Sequence, residues 1–435
     1  MTTTSPLPLK ISIHKHPQME STMLDHDGEG NSPRSPQVST LPSHHSGYIT
    51  RQVSNELNLE HCTDLEIRPP GPGEVVVKVL YSGICRTDGC FALGEPDLPQ
   101  SNLIVGHESL GTIVLSPSDL TLLHTTVVTR FLVSTCNTCH YCIRHLPESC
   151  PHRTTYPALT GTMQEYITVP YQHLRPLPPA YMTPPRTTAT AADRCRDMAP
   201  LYVSALCSGA AALKSLRTAA PQPGDVVVVS GVLGAIGHLV GMIAKKVYGV
   251  QVIGVDLGWK WRERLNKEEE ISCWEEVFDT FIPACECPLD QLSHDRFLRQ
   301  LERACAKLRK EDDVTVTTTT TPAGRADSVI VCASSAAAFQ RLEDLVRDGG
   351  SIVVVGAPRG PCMVQAPLRS LLDRQLRIQG SLMGTWEESL QVMQWIHDGI
   401  ITPYVHLVDL ADAGRQLSDC VDCKTFGKGI IHISA

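Results

Sequence analysis

Long apolar runs are missing from this sequence. No stretch reaches the about 18 uninterrupted apolar residues of a membrane-spanning helix, and even residues 226–255 are broken by Lys245, Lys246 and several glycines. The first twenty or so positions also lack the apolar block of roughly 7–15 residues that a secretory signal needs. Positive charge is short: 38 Lys and Arg against 46 Asp and Glu leave a net charge of −8. The balance gives no electrostatic pull toward nucleic acid or an anionic membrane, and a small-molecule partner is expected. No internal repeat is present. What is there is ordinary: 435 residues, 42% of them apolar, enough for two or three domains with sizeable cores. The 17 cysteines are an odd number spread along the chain. That usage fits a reducing compartment better than a disulfide framework, so a cytoplasmic location is expected.

Residues 1–45 are rich in Ser, Thr, Pro and His, as in Ser32-Pro33-Arg34-Ser35-Pro36. They bury too little apolar surface to offset their ordering entropy and read as a disordered tail, with order starting near Tyr48. Pro70-Gly71-Pro72-Gly73 reads as a turn feeding a strand over 74–80. Short apolar runs without helical period continue to about Pro185, which predicts a β-rich domain; the prolines of 176–200 mark a linker or a surface insertion. After Gly224-Asp225 the pattern changes. Val226–Ser230 reads as a buried strand, 235–248 as a helix, and 252–256 as a second strand. Ser293 is expected to cap a helix through Phe297, Leu301 and Leu308. Residues 315–321 read as a surface loop. A strand over 329–332, a helix around 336–346 and a strand over 351–355 extend the alternation, which implies a parallel sheet covered on both faces. The final stretch from Ile378 to Ile433 returns to short strands and one helix over 387–397, so the C-terminus is expected to complete the first domain.

Cys136, Cys139, Cys142 and Cys150 follow the spacing C-x2-C-x2-C-x7-C. Four thiolates in one short loop suit a closed tetrahedral zinc site. A ferredoxin cluster needs a shorter last gap and usually a second run. A nucleic-acid-binding zinc module is disfavoured because the loop's only Lys or Arg is Arg144.

Gly231-Val232-Leu233-Gly234-Ala235-Ile236-Gly237 lies between the strand and the helix, and Asp256 ends the next strand. Glycines let a backbone approach a pyrophosphate, a helix N-terminus offers free N–H groups, and a carboxylate accepts ribose hydroxyls. The first gap is one residue longer than in G-x-G-x-x-G, but the strand–turn–helix–strand setting supports dinucleotide binding. Asp256 would repel a 2′-phosphate, which favours NAD over NADP.

Three further segments hold possible metal ligands: Gly83-Ile84-Cys85-Arg86-Thr87-Asp88, Gly106-His107-Glu108 and Ala205-Leu206-Cys207-Ser208-Gly209. Any one cysteine there could be a small buried apolar residue. Together, two thiolates and an imidazole would leave a fourth zinc position open to substrate.

With these motifs, and with Gly161-Thr162-Met163-Gln164-Glu165-Tyr166 and Gly380-Ser381-Leu382-Met383-Gly384, the chain from about Pro70 to Ile433 resembles the zinc-dependent alcohol dehydrogenases of the medium-chain dehydrogenase/reductase superfamily, nearest their microbial tetrameric branch. The resemblance implies an α/β protein with a β-rich GroES-like catalytic domain over 46–205 that carries the zinc lobe 136–150. A Rossmann doubly wound parallel-sheet domain would follow over 206–372, and 373–435 would complete the catalytic domain. It implies two zinc ions per subunit and NAD. Cys85, His107 and Cys207 would hold the catalytic zinc, Glu108 would serve as an alternate ligand, and Asp88 would orient His107. Thr87 would accept the alcohol proton. Arg86 would meet the pyrophosphate, Gly231, Gly234, Ala235, Ile236 and Gly237 would cradle the cofactor, and Asp256 with Lys260 would hold the adenosine ribose. Hydride transfer between a primary or secondary alcohol and NAD is the expected activity, in a homo-oligomer of two or four subunits.

The chain departs from the family pattern in places. Cys90 stands where several relatives have a proton-relaying histidine, and His124-Thr125-Thr126-Val127-Val128 replaces a Gly-Asp turn. Region 265–325 is longer than usual, and the tail has no counterpart. Two alternatives accompany the expected activity: a zinc-free quinone or enoyl reductase of the same superfamily, and a non-catalytic binding protein that retains the fold.

Overall fold

The structure is a computed structural model that describes residues 41–434 apart from 55, 95–100, 157–159, 183–197, 266–272 and 311–323. Most of the expected tail and the threonine-rich loop at 315–321 lie outside the described residues.

Four consecutive valines build the centre of the nucleotide-binding half. In the strand Val226–Ser230 the side chains alternate, so Val226 and Val228 join one buried cluster and Val227 and Val229 another on the opposite face. A strand buried on both faces belongs in a parallel sheet covered by helices. Among the described residues six strands form that sheet, in the order Thr280–Pro283, Gln251–Asp256, Val226–Ser230, Ala326–Val331, Val346–Val354 and Arg377–Gly380. Every neighbouring pair is parallel. This is the expected Rossmann-type arrangement.

The second large sheet has seven strands among the described residues. Glu74–Gly83 pairs antiparallel with Ser109–Leu115, Tyr166–Pro170 and the C-terminal strand Lys428–His432. The end of the chain therefore lies beside the start of the β-rich half. The replaced turn is accommodated: His124 adopts the left-handed conformation with φ of 64°, and Val127 and Val128 beyond it are buried.

Several local expectations are corrected. The first described strand is His44–Gln52, beginning before Tyr48 and inside the residues read as tail. The cap of helix Gln291–Arg309 is Asp290, whose carboxylate accepts from the Ser293 N–H at 2.8 Å; the carboxylate takes the orphan donor that Ser293 itself supplies. The helix expected at 336–346 is two 3-10 turns, Ala336–Phe339 and Leu342–Leu345, because Arg341 between them is left-handed with φ of 54°. The helix after the glycine turn starts at Gly237 and ends in a π-helical turn, Ala244–Tyr248. The helix Trp386–His397 opens on a capping box between Thr385 and Glu388.

Candidate active site

Asp88 organises one half of the dispersed site. It occupies the first turn of helix Arg86–Ala92, and its Oδ2 accepts from the Cys85 N–H at 3.2 Å, closing a capping box. Its Oδ1 accepts from the Gly106 N–H at 3.1 Å and lies 2.7 Å from His107 Nδ1. One fully buried carboxylate thus fixes the Cys85 backbone and the His107 ring. With Nδ1–H donated to Asp88, the other nitrogen is turned toward Cys207, with Nε2 3.4 Å from Sγ.

Cys207 comes from a different layer. It sits in a π-helical turn, Ala205–Gly209, between the helices Ala199–Ser204 and Ala210–Ala219. Such bulges often occur at functional sites because they re-aim a side chain without ending the helix. The donor atoms of Cys85, His107, Glu108 and Cys207 all lie within 4.8 Å of one another. Two soft sulfurs and an imidazole in that space suit a tetrahedral zinc ion.

The electrostatics of the metal-free cluster follow from this crowding. The Cys85 thiol is held well below its ordinary pKa, first by the hydrogen bond from Cys207 and then by His107 and the Lys428 charge, while Cys207 is pushed up in return. Burial opposes charge on His107, but Asp88 outweighs it and raises the ring. Burial raises Glu108 against the pull of Lys428.

Lys428 is the residue that sequence reasoning missed. Its ammonium is fully buried and bonded to Glu108 Oε1 across 320 residues of sequence. The available signal is a lone lysine ahead of the apolar Gly429-Ile430-Ile431 run in the strand Lys428–His432.

The four-cysteine lobe is built differently. Asn137 and His145, both left-handed at φ of 58°, turn the chain on either side of the short helix His140–Ile143. The sulfurs come together: Cys139 and Cys142 at 3.6 Å, Cys136 and Cys150 at 3.6 Å, Cys136 and Cys142 at 4.0 Å. All four lie within 4.8 Å of one another, which suits a closed four-thiolate zinc site. Backbone N–H groups of Thr138 and Cys139 lower the Cys136 thiol to about 6, whereas burial and Cys139 raise Cys142 to about 11. Lys214 bonds Glu148 at 2.9 Å and ties the lobe to the helix that follows Cys207.

A cavity of about 490 Å³ connects the dispersed cluster with the glycine turn; Cys85, Arg86, Ser208, Gly234 and Asp256 all line it. Gly231 is left-handed at φ of 79°, and a Cβ on Gly237 would meet the Gly231 carbonyl oxygen at 2.1 Å. The turn can close only around glycine, and it leaves backbone free to face the cavity, together with Ala235 and Ile236. Asp256 is anchored at both oxygens, accepting from Leu233 N–H at 2.9 Å and Leu257 N–H at 2.8 Å. Each oxygen keeps a lone pair for a ribose hydroxyl. Arg86 Nη1 donates to the Ala357 carbonyl at 2.7 Å, and its Nε is buried without a hydrogen-bond partner. Lys260 borders the cavity but donates to the Thr425 carbonyl at 2.8 Å and lies 4.9 Å from the centre of the Phe426 ring. Thr87 Oγ1 lies 3.5 Å from Cys85 Sγ. Phe131 meets His107 edge-on and stacks on Phe91, giving the cluster an apolar wall.

Comparison with known proteins agrees with this architecture. A family described as alcohol dehydrogenase GroES-like domain matches residues 71–179, and one described as zinc-binding dehydrogenase matches residues 297–398. An alcohol dehydrogenase 2 of Emericella nidulans is 27% identical over 85% of this chain and 93% of its own length. Among solved structures, a cobalt- and zinc-bound thermostable alcohol dehydrogenase from Pyrobaculum aerophilum superposes with a TM-score of 0.64 at 20% identity, covering 89% of this chain and 99% of that one. An acetophenone reductase from Geotrichum candidum, solved with NAD, gives a TM-score of 0.63 at 20% identity, covering 91% and 98%. Two segments thus match alcohol dehydrogenase and zinc-binding dehydrogenase families, and over most of its length the chain is similar to zinc-type alcohol dehydrogenases of the medium-chain dehydrogenase/reductase superfamily.

Proposed function

We propose that this protein is a zinc- and NAD-dependent oxidoreductase that moves hydride between a primary or secondary alcohol and NAD. The observation that carries the reading is the convergence of Cys85, His107 and Cys207 donor atoms within 4.8 Å, at a cavity that also contains the glycine turn and Asp256. A zinc ion held by these three residues supplies Lewis-acid activation of the substrate oxygen, and the nicotinamide supplies the hydride acceptor. Asp88 keeps His107 in the tautomer that leaves Nε2 as a ligand. Glu108, neutralised by Lys428, is the alternate ligand. Thr87 takes the proton from the alcohol hydroxyl; with Cys90 at the usual relay position, the proton leaves through water or ribose hydroxyls. Arg86 meets the pyrophosphate, Asp256 accepts the ribose hydroxyls and favours NAD over NADP, and Lys260 braces that end of the cavity. The lobe of Cys136, Cys139, Cys142 and Cys150 holds a second, structural zinc.

The zinc-free reductase leaves two thiols, an imidazole and an oriented carboxylate gathered for no purpose; a non-catalytic binder that keeps zinc and NAD is separated from the enzyme by turnover. The test is zinc-replete protein with NAD and a panel of primary and secondary alcohols, read as NADH absorbance. Turnover that depends on zinc is expected; absent metal and absent turnover across the panel reject the assignment.

The strand Arg377–Gly380 is exposed throughout at the edge of the six-stranded sheet, and Met363, Leu368, Leu372 and Leu382, in the segments before and after it in sequence, are exposed too. An open edge with apolar neighbours suits pairing with a second copy, so we read the protein as a homo-oligomer, a dimer or a tetramer of the kind in the microbial branch. Light scattering that gives a monomer mass would refute this. The 16 cysteines of the described residues are all free of disulfides, which supports a cytoplasmic location. Among the described residues no helix is long and apolar enough to cross a membrane.

A further inference from the structure

His294 is a buried histidine that the proposed chemistry does not use. It lies in the first turn of helix Gln291–Arg309, is 2% exposed, and borders the cofactor cavity. Its Nε2 is 3.0 Å from Asp344 Oδ2. Asp344 also accepts from Arg341 Nε at 3.0 Å and has Arg325 Nη1 at 3.8 Å. Burial works against charge on Asp344, but the His294 hydrogen bond and the two guanidinium groups hold its carboxyl below the usual range. Facing a carboxylate, Nε2 is the nitrogen that donates its hydrogen, and in that tautomer the lone pair lies on Nδ1. That Nδ1 is buried and has no hydrogen-bond partner.

The sheet order shows which part of the dinucleotide meets this ring. Arg86 bonds Ala357, just beyond the strand Val346–Val354, so the metal-ligand cluster faces that side of the sheet. The glycine turn follows Val226–Ser230, Asp256 ends the next strand outward, and Thr280–Pro283 lies beyond it. A dinucleotide with its pyrophosphate at the glycine turn and its ribose at Asp256 carries its base onward, toward Ala284 and Cys285 and the start of the helix that bears His294. Phe297, Ala338 and Leu345 line the cavity there and offer apolar surface to a flat ring.

We infer that His294 reads the adenine base, its Nδ1 accepting a hydrogen bond from the exocyclic 6-amino group. This rests on the NAD reading above. Asp344 is the positioning residue that fixes the tautomer. Hypoxanthine, with a carbonyl oxygen in place of the amino group, would set one lone pair against another and leave Nδ1 unpaired.

The test is calorimetric titration of zinc-replete, full-length protein at about pH 8, using NAD and nicotinamide hypoxanthine dinucleotide. Wild type is expected to bind NAD about tenfold more tightly than the hypoxanthine analogue. In His294→Leu the preference falls to within about twofold, through weaker NAD binding alone. Equal affinities in the wild type, or a preference that survives in His294→Leu, would overturn the inference. So would an equal loss for both nucleotides, which indicates a packing role only. The wild-type comparison stands whether or not the variant folds. Wild type that binds neither nucleotide refutes the NAD reading itself, an outcome distinct from binding both equally.

Discussion

The two cysteine-containing clusters are opposites in construction. The lobe at Cys136, Cys139, Cys142 and Cys150 is assembled from 15 consecutive residues near the surface, where two left-handed residues and one short helix suffice to converge four sulfurs. The cluster at Cys85, His107, Glu108 and Cys207 is gathered from three segments, and it has a buried carboxylate behind its imidazole and a buried ammonium behind its glutamate. A local cluster needs only a loop; a dispersed one needs the whole fold to be in place. The lobe should therefore contribute to stability and the dispersed cluster to chemistry, and substitutions can break that division.

The largest expected effect is on turnover. Cys207→Ser should lower kcat/KM at least about a thousandfold, the several kcal/mol of Lewis-acid assistance lost with the metal, and leave the melting temperature within a few degrees of wild type. Steady-state kinetics and a thermal scan on the same sample check both halves. Cys139→Ser should do the reverse, lowering the melting temperature by roughly 10 °C while kcat of the folded fraction changes little. Matching losses of melting temperature in the two variants would erase the distinction.

A pH effect of intermediate size comes from the nucleotide-binding half. His238 is fully buried, and burial lowers its pKa to about 4, below the unfolded value of 6.5. The unfolded chain binds the proton first, so stability falls as pH drops through this window. The cost is about 3 kcal/mol by pH 4. Denaturant unfolding at pH 7 and pH 4 should show that much less pH dependence in His238→Leu than in wild type; identical slopes would contradict the burial argument. Smallest is Asp88→Asn, which keeps a hydrogen bond to His107 but removes the charge. An about 10- to 100-fold fall in zinc affinity or turnover is expected, measured by competition with a chromogenic chelator and by kinetics.

The same contrast explains what could be read in advance. The lobe was legible because its ligands and their spacing lie in one loop, and the strand–turn–helix–strand at 226–256 because four valines, three glycines and an aspartate state it locally. Cys85, His107 and Cys207 were legible only through likeness to a family, since nothing local distinguishes a ligand cysteine from a packed one. Lys428 was not legible: its partner Glu108 is 320 residues away and meets it only when the C-terminal strand pairs with Glu74–Gly83. The false helix at 336–346 had the right apolar pattern, and its break at Arg341 is a backbone conformation that composition does not announce. The cap lies three residues before Ser293 because Asp290 and Ser293 are both good capping residues, and the carboxylate wins the N–H.

Anomalous diffraction at the zinc edge from crystals of zinc-replete protein tests the central claim most directly. Two peaks are predicted in each chain, one inside the four-cysteine lobe and one at ~2.3 Å from the sulfurs of Cys85 and Cys207 and ~2.0 Å from His107 Nε2. A peak in the lobe with none at Cys85, His107 and Cys207 would contradict it.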